Sequence, residues 1–183
     1  MIETGRIRVA KDKAELVKAL TSADGATGPF PTYADVIVFA AALGAKHKKR
    51  VPLGEVSKRE PSPIGQEHFL IKGYDFVIRL LAMIDVKEIN ILSYDETSMN
   101  KALRIFEEYA NGGLEFLHNE LRGAVDYSER ILLILISERF NEKSSKNISF
   151  DLYQFEMSLS RNRSTSKKQP VTKHRERNRT KSV

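Results

Sequence analysis

The sequence predicts a mainly α protein: a compact helical domain of about five helices over residues 1–140, at most one short strand pair, and a disordered basic C-terminal tail. Three observations carry this expectation. Apolar residues recur at intervals of three and four through the long stretches of the chain, the spacing of a buried helix face. Strand-like alternation is limited to short pieces such as Gly5–Val9 (GRIRV). From Ser160 onward Val171 and Val183 are the only aliphatic residues, and so polar a stretch cannot bury enough surface to fold by itself.

Bulk properties bound the rest. A length of 183 residues suits one domain with appendages. The absence of cysteine excludes disulfides, thiolate metal sites and cysteine nucleophiles. The N-terminal segment MIETGRIRVAKDKAEL lacks the apolar core of a signal peptide. The longest apolar run, Ile131–Ile136, is far shorter than the roughly 20 residues that span a bilayer. A cytoplasmic protein without membrane contact is expected. The net charge of +6 is unevenly placed. Residues 161–183 hold nine Arg or Lys and one acid, whereas residues 1–160 hold 21 basic and 23 acidic side chains. The body therefore has no general nucleic-acid footprint and leaves room only for a local basic patch.

Gly5–Val9 is read as a short strand or an extended arm. Asp12–Leu20 is the first expected helix, capped by Asp12 with Glu15 three positions on, and striped by Ala14, Leu16, Val17 and Leu20. After a polar turn over Thr21–Gly28, Pro29 and Pro31 keep Phe30 extended. Thr32 with Asp35 fits a capping box. It opens an apolar helix over Val36–Leu43, in which Ala40, Ala41 and Ala42 permit close neighbours and Gly44 provides a left-handed stop. The basic run Lys46–Arg50 follows, near the negative end of the helix dipole.

Residues 52–66 are loop-like. A long helix is expected from Gln66, bent at Gly73, with Phe69, Leu70, Phe76, Val77, Leu80, Leu81 and Ile84 on its apolar face. Glu88–Leu92 is compatible with the end of that helix or a short strand. Asp95 or Ser98 begins the next helix, striped by Met99, Leu103, Phe106, Ala110, Leu114, Leu117 and Leu121. Asn111-Gly112-Gly113 leaves two alternatives: one helix passing through at about 1 kcal/mol per glycine, or two helices meeting at a corner. Tyr127–Phe140 completes the body, with Ile131, Leu132, Leu135 and Ile136 expected in the core. Residues 141–160 read as a linker or a short docking helix: Asn141–Asn147 is loop-like, and Ile148–Leu159 is an amphipathic segment that docks on the body or extends the preceding helix.

Lys46, Lys48, Lys49 and Arg50 are the leading candidates for phosphate contact, since clustered cations beside a rigid element can hold a nucleic-acid backbone without reading bases. The competing account is a solvated loop that only stabilises the preceding helix end. A helix-turn-helix is disfavoured, because a recognition helix starting at Ala45 would meet Pro52 almost at once. In the tail, Lys167, Lys168, Arg175, Arg177 and Arg179 would add salt-dependent affinity for DNA. No aromatic residue accompanies them, so the tail offers no platform for base stacking.

No catalytic residue, metal ligand or cofactor is predicted. His47, His68, His118 and His174 lack ligand spacing, Ser137 lacks a G-x-S-x-G context, and no phosphate-binding glycine loop is present. Acidic pairs such as Asp75 or Asp85 with Glu107, brought together only by folding, are the remaining route to catalysis.

Three segments in order, GPFPTYADVIVFAAALGAKHKKRVPL at 28–53, FVIRLLAMIDVKEINILS at 76–93 and RIFEEYANGGLEFLHNEL at 104–121, carry a resemblance. Together they resemble the Dnd system-associated protein 4 family, small proteins linked to DNA phosphorothioation systems, in which sulfur replaces a non-bridging phosphate oxygen. The resemblance spans about residues 6–136, and the basic tail is not part of the family pattern. The matching positions are Gly28, Phe30, Thr32, Asp35, Phe39, Gly44, Arg50, Pro52, Phe106, Glu107, Glu108, Tyr109, Asn111, Gly112 and Gly113. The resemblance implies a modification or defence context, with DNA (phosphorothioated DNA included) and other Dnd proteins as partners, and supplies no catalytic constellation. The leading expectation is a non-enzymatic accessory that binds the DNA backbone through the basic run and tail. A protein–protein adaptor would instead use Glu107, Glu108 and Asn111 as its partner surface. A metal-dependent nuclease component would need buried carboxylates close together.

Overall fold

A computed structural model describes residues 5–22 and 27–145. The segment Ile148–Leu159 and the basic tail, with Lys167, Lys168, Arg175, Arg177 and Arg179, lie outside the described residues. The elements run β1 (Arg6–Ile7), a 3-10 turn (Lys11–Lys13), α1 (Ala14–Ala19), α2 (Tyr33–Lys46), β2 (Ile64–Gly65), α3 (Glu67–Leu70), α4 (Asp75–Val86), a second 3-10 turn (Ile89–Leu92), α5 (Glu96–Glu120) and α6 (Tyr127–Ser145). The architecture is mainly α, as expected. β1 and β2 form an antiparallel pair with Arg6 opposite Gly65 and Ile7 opposite Ile64, so the GRIRV alternation does mark a strand. Two units are separable, Met1–Ile134 and Leu135–Val183, and the described part of the second is the C-terminal portion of α6.

The first unit is built on α2 against α5. Thr32 and Asp35 form the expected capping box at the start of α2, and Phe30 packs on Phe39 with ring centroids 5.0 Å apart. Val36, Ile37, Ala40, Ala41, Leu43 and Gly44 turn inward. From α5, Leu103, Phe106, Ala110, Leu114 and Leu117 complete the same core, and Phe106 meets Phe69 of α3 edge-on at 5.9 Å.

Glycine makes this helix pair possible. A Cβ at Gly44 would run into the Tyr109 carbonyl, one at Gly113 into the Ala40 carbonyl, and one at Gly112 into the Lys49 carbonyl. Backbone therefore lies against backbone, a separation only glycine permits. One expectation changes as a result, and one open alternative is decided. Gly44 is not the helix stop: α2 continues to Lys46, and Lys48, at φ 52°, takes the left-handed position. Its N–H donates to Ala45 O at 3.0 Å while the Lys49 N–H donates to Gly44 O at 2.8 Å, the bond pair of a Schellman end. Asn111-Gly112-Gly113 is not a corner: α5 runs unbroken from Glu96 to Glu120, because those glycines serve contact with α2.

Other boundaries also move. Asp12 makes no cap; it precedes α1 in the 3-10 turn, and Lys13 occupies the N-cap position. Asp95, by contrast, caps α5 by accepting from the Ser98 N–H at 2.9 Å. The helix expected to bend at Gly73 is broken there, since Gly73 at φ 71° separates α3 from α4. The α4 face divides. Ile78, Leu81 and Ala82 are buried, while Phe76, Leu80 and Ile84, on the i, i+4, i+8 row beside them, are 68%, 43% and 55% exposed. In α6 the buried side chains are Ile131 and Ile134, whereas Leu132, Leu135 and Ile136 are exposed. Asn141–Ser145, expected as loop, continue α6.

Substituting Gly113→Ala or Gly44→Ala should destabilise the fold by about 3 kcal/mol, because overpacking against a backbone carbonyl outweighs the gain in helix propensity of about 1 kcal/mol. Gly54→Ala, which meets no atom within 4 Å, should stay within about 0.5 kcal/mol of the parent. Urea denaturation of the three variants measures the contrast.

Candidate nucleic-acid interface

The basic run leaves the end of α2 and is strapped along α5. Lys46, His47 and Lys48 are exposed, and the His47 ring stacks on Phe116 with centroids 4.1 Å apart. Lys49 Nζ pairs with Glu115 at 3.1 Å. Arg50 donates from Nε to Glu108 at 2.6 Å and from Nη1 to Asp85 at 2.5 Å. The Val51 N–H donates to the Glu108 carbonyl at 3.0 Å. Asn111 Nδ2 donates to the carbonyls of Pro52 and Val51 at 3.1 and 3.4 Å. Lys46 and Lys48 are thus exposed beside a fixed support, and Arg50 is engaged by two carboxylates.

Glu107 and Glu108, considered above for a partner surface, are 2% and 6% exposed, and Asn111 is buried with them. Adjacent positions on a helix diverge by about 100°, so the two carboxylates serve different neighbours. Glu107 accepts from Arg8 Nε at 3.0 Å, from Arg8 Nη2 at 2.6 Å and from the Arg8 backbone N–H at 2.8 Å. The hydrogen bond to Glu107 raises the Arg8 pKa above its ordinary value, against the opposing effect of burial. Glu108 accepts from Arg50 and, at 2.9 Å, from Arg104 Nε. Burial pushes the Glu108 carboxyl upward, but hydrogen bonds from Arg104 and Arg50 and their charges outweigh it and hold the pKa below the usual value.

Asp85 is linked to a carboxylate of α5 only through Arg50, which bridges it to Glu108 rather than Glu107. The Tyr109 hydroxyl donates to Asp85 at 2.9 Å. Among the described residues no three His, Asp or Glu side chains converge as a metal site, and no helix is long and apolar enough to cross a membrane.

A second basic feature comes only from the fold. Arg6, Arg8, Lys101 and Arg104 line one cavity of about 270 Å³, together with Gly5, Asn100, Leu103 and Glu107. Arg6 and Arg8 are two apart on an extended segment, so they share a face; Lys101 and Arg104 are three apart on α5 and do the same. The alternation of GRIRV carried the first half of this signal. The second half was hidden because a helix face with two cations three residues apart ordinarily means solvent exposure.

Replacing Glu108 by Gln removes the charge that Arg50 and Arg104 share and turns one of its two acceptor oxygens into a donor, and should cost about 2 kcal/mol at neutral pH. The folded pKa of Glu108 is lowered, so its stabilisation is complete above the ordinary glutamate range and disappears as pH falls through the lowered value. The stability difference between the parent and Glu108→Gln should therefore shrink toward zero in acid, read from denaturant melts across pH.

No curated protein and no solved structure shows significant similarity to the chain. The family model for DNA sulphur modification system-associated protein 4 matches residues 6–155. The match starts where the resemblance read from the sequence starts and extends further toward the C-terminus. It includes the strapped basic run, the α5 carboxylates and the four cavity cations, and it ends before the basic tail. The chain belongs to the DNA sulphur modification system-associated protein 4 family.

Proposed function

We propose that this member of a family associated with a DNA sulphur modification system is a non-enzymatic accessory that binds the DNA backbone. One observation carries the proposal: Lys48 is exposed, with Lys46 and Lys49 beside it, at the head of a segment that bonds at Val51 and Pro52 fix to α5. A fixed group of cations can position phosphates while reading no bases. Arg50 has a divided role, since its guanidinium ties the loop to Glu108 and Asp85 while remaining about one-third exposed. Lys167, Lys168, Arg175, Arg177 and Arg179 of the tail add affinity without sequence preference. Burial of Glu107, Glu108 and Asn111 favours this reading over an adaptor built on those three side chains, because they offer a protein partner little surface. Other proteins of the modification system remain natural partners of the DNA-bound accessory.

Fluorescence anisotropy on duplexes with and without phosphorothioate, at salt concentrations from about 50 to 200 mM, tests the proposal. Lys46→Ala, Lys48→Ala and Lys49→Ala combined should weaken binding and reduce the salt slope by about 2 to 3, at roughly 0.9 per lost phosphate contact. Arg50 is kept, because removing it would also disturb the fold. Ending the chain after Ser160 should lower the slope further. A slope unchanged in the triple variant would remove the loop from the DNA interface.

A further inference from the structure

We infer that the cavity between β1 and the N-terminal half of α5 is a phosphate-binding site, distinct from the Lys46–Arg50 loop. The inference extends the backbone-binding proposal to a second site and rests on it only for the source of the phosphate. Four cations, Arg6, Arg8, Lys101 and Arg104, line a space of about 270 Å³ that a single carboxylate, Glu107, also lines. Cations thus outnumber acids in the lining, although Glu107 pairs with Arg8 and Glu108, just outside the lining, pairs with Arg104. That volume corresponds to the share of about nine liquid waters, enough for a phosphate group with part of its sugar and more than a bare monatomic anion needs.

The arginines are held in place before any ligand arrives. Glu107 grips Arg8 through Nε and Nη2, and Glu108 takes Nε of Arg104. The Nη atoms of Arg104 have no protein acceptor among the described residues, and neither does the Lys101 ammonium. A guanidinium fixed by a buried acid loses less freedom on binding, and its planar fork matches two oxygens of a phosphate. This arrangement also accounts for two carboxylates buried side by side in one helix. A buried ion pair seldom stabilises a fold more than apolar packing would, so the useful product of Glu107 and Glu108 is the fixed position of their arginines. Asn100, also in the lining, supplies a neutral amide donor to a third oxygen or to a sugar hydroxyl. Cations approaching from a strand on one side and a helix on the other suit a tetrahedral anion, whose oxygens point in several directions.

Calorimetric titration of the full chain with inorganic phosphate tests the site. Saturable binding is expected, weakened about tenfold by Lys101→Glu and by Arg6→Ala, with the melting temperature unchanged in Lys101→Glu. The loop variant Lys46→Ala/Lys48→Ala/Lys49→Ala should bind phosphate as the parent does, so a failure of the loop proposal leaves this result intact. A short duplex then distinguishes the sources. Weaker duplex binding by Lys101→Glu assigns the phosphate to the DNA backbone, whereas intact duplex binding with loss of inorganic phosphate assigns it to a free phosphate or monoester. Absence of saturable phosphate binding, or binding that survives both Lys101→Glu and Arg6→Ala, would overturn the inference.

Discussion

The contact on which the structure depends is the bare backbone approach of α2 to α5. At Gly44, Gly112 and Gly113 there is no room for a Cβ, and each glycine faces a carbonyl of the other segment. The alanines of α2 extend the same closeness, with Ala40 and Ala41 buried. Apolar burial supplies the drive for this pairing, but the glycines fix its register, because sliding either helix would bring a side chain to a site that cannot hold one. A helix that passes through two consecutive glycines gives up about 1 kcal/mol of intrinsic propensity at each. Tertiary packing has to outweigh that loss, and the close α2–α5 interface is where it does so.

Much of the fold was legible because it follows from local chemistry. Thr32–Asp35 announced the start of α2, Asp95 the start of α5, and the stripe from Leu103 to Leu117 the buried face of α5. The errors arose where one residue type serves two physical purposes. Glycine marks helix ends by its access to positive φ and marks close contacts by its missing side chain. Gly44 was read the first way and acts the second, while a lysine, Lys48, takes the strained position. The α4 row Phe76, Leu80 and Ile84 has helical spacing yet faces outward, since periodicity identifies a face without saying what covers it.

The candidate site was legible in part for the same reason. A run of adjacent cations such as Lys46–Arg50 is visible in one dimension. A cluster that joins Arg6 and Arg8 to Lys101 and Arg104 is not, because nearly a hundred positions separate its halves and only the packing of β1 against α5 unites them. Overall charge was no guide either. With 21 basic and 23 acidic side chains in residues 1–160, the body is close to neutral, and what distinguishes its surface is placement rather than number.

Placement traces back to one short stretch of α5. Glu107 orients Arg8, and Glu108 takes Arg50 and Arg104 while its carbonyl receives the Val51 N–H. The Tyr109 carbonyl meets Gly44, Asn111 holds the carbonyls of Val51 and Pro52, and Gly112 admits Lys49. The segment Glu107–Gly113 therefore sets both basic features at once, and Glu108 touches a cation of each. This explains why its polar residues are buried rather than displayed: acids and an amide at these positions align cations and backbone that would otherwise be mobile. Among the described residues, Asn111 Oδ1 is buried without a protein partner. Its amide acts through the two bonds made by Nδ2, and a leucine of similar size would release the loop. Positioning, more than stability, is the property that this stretch of α5 supplies.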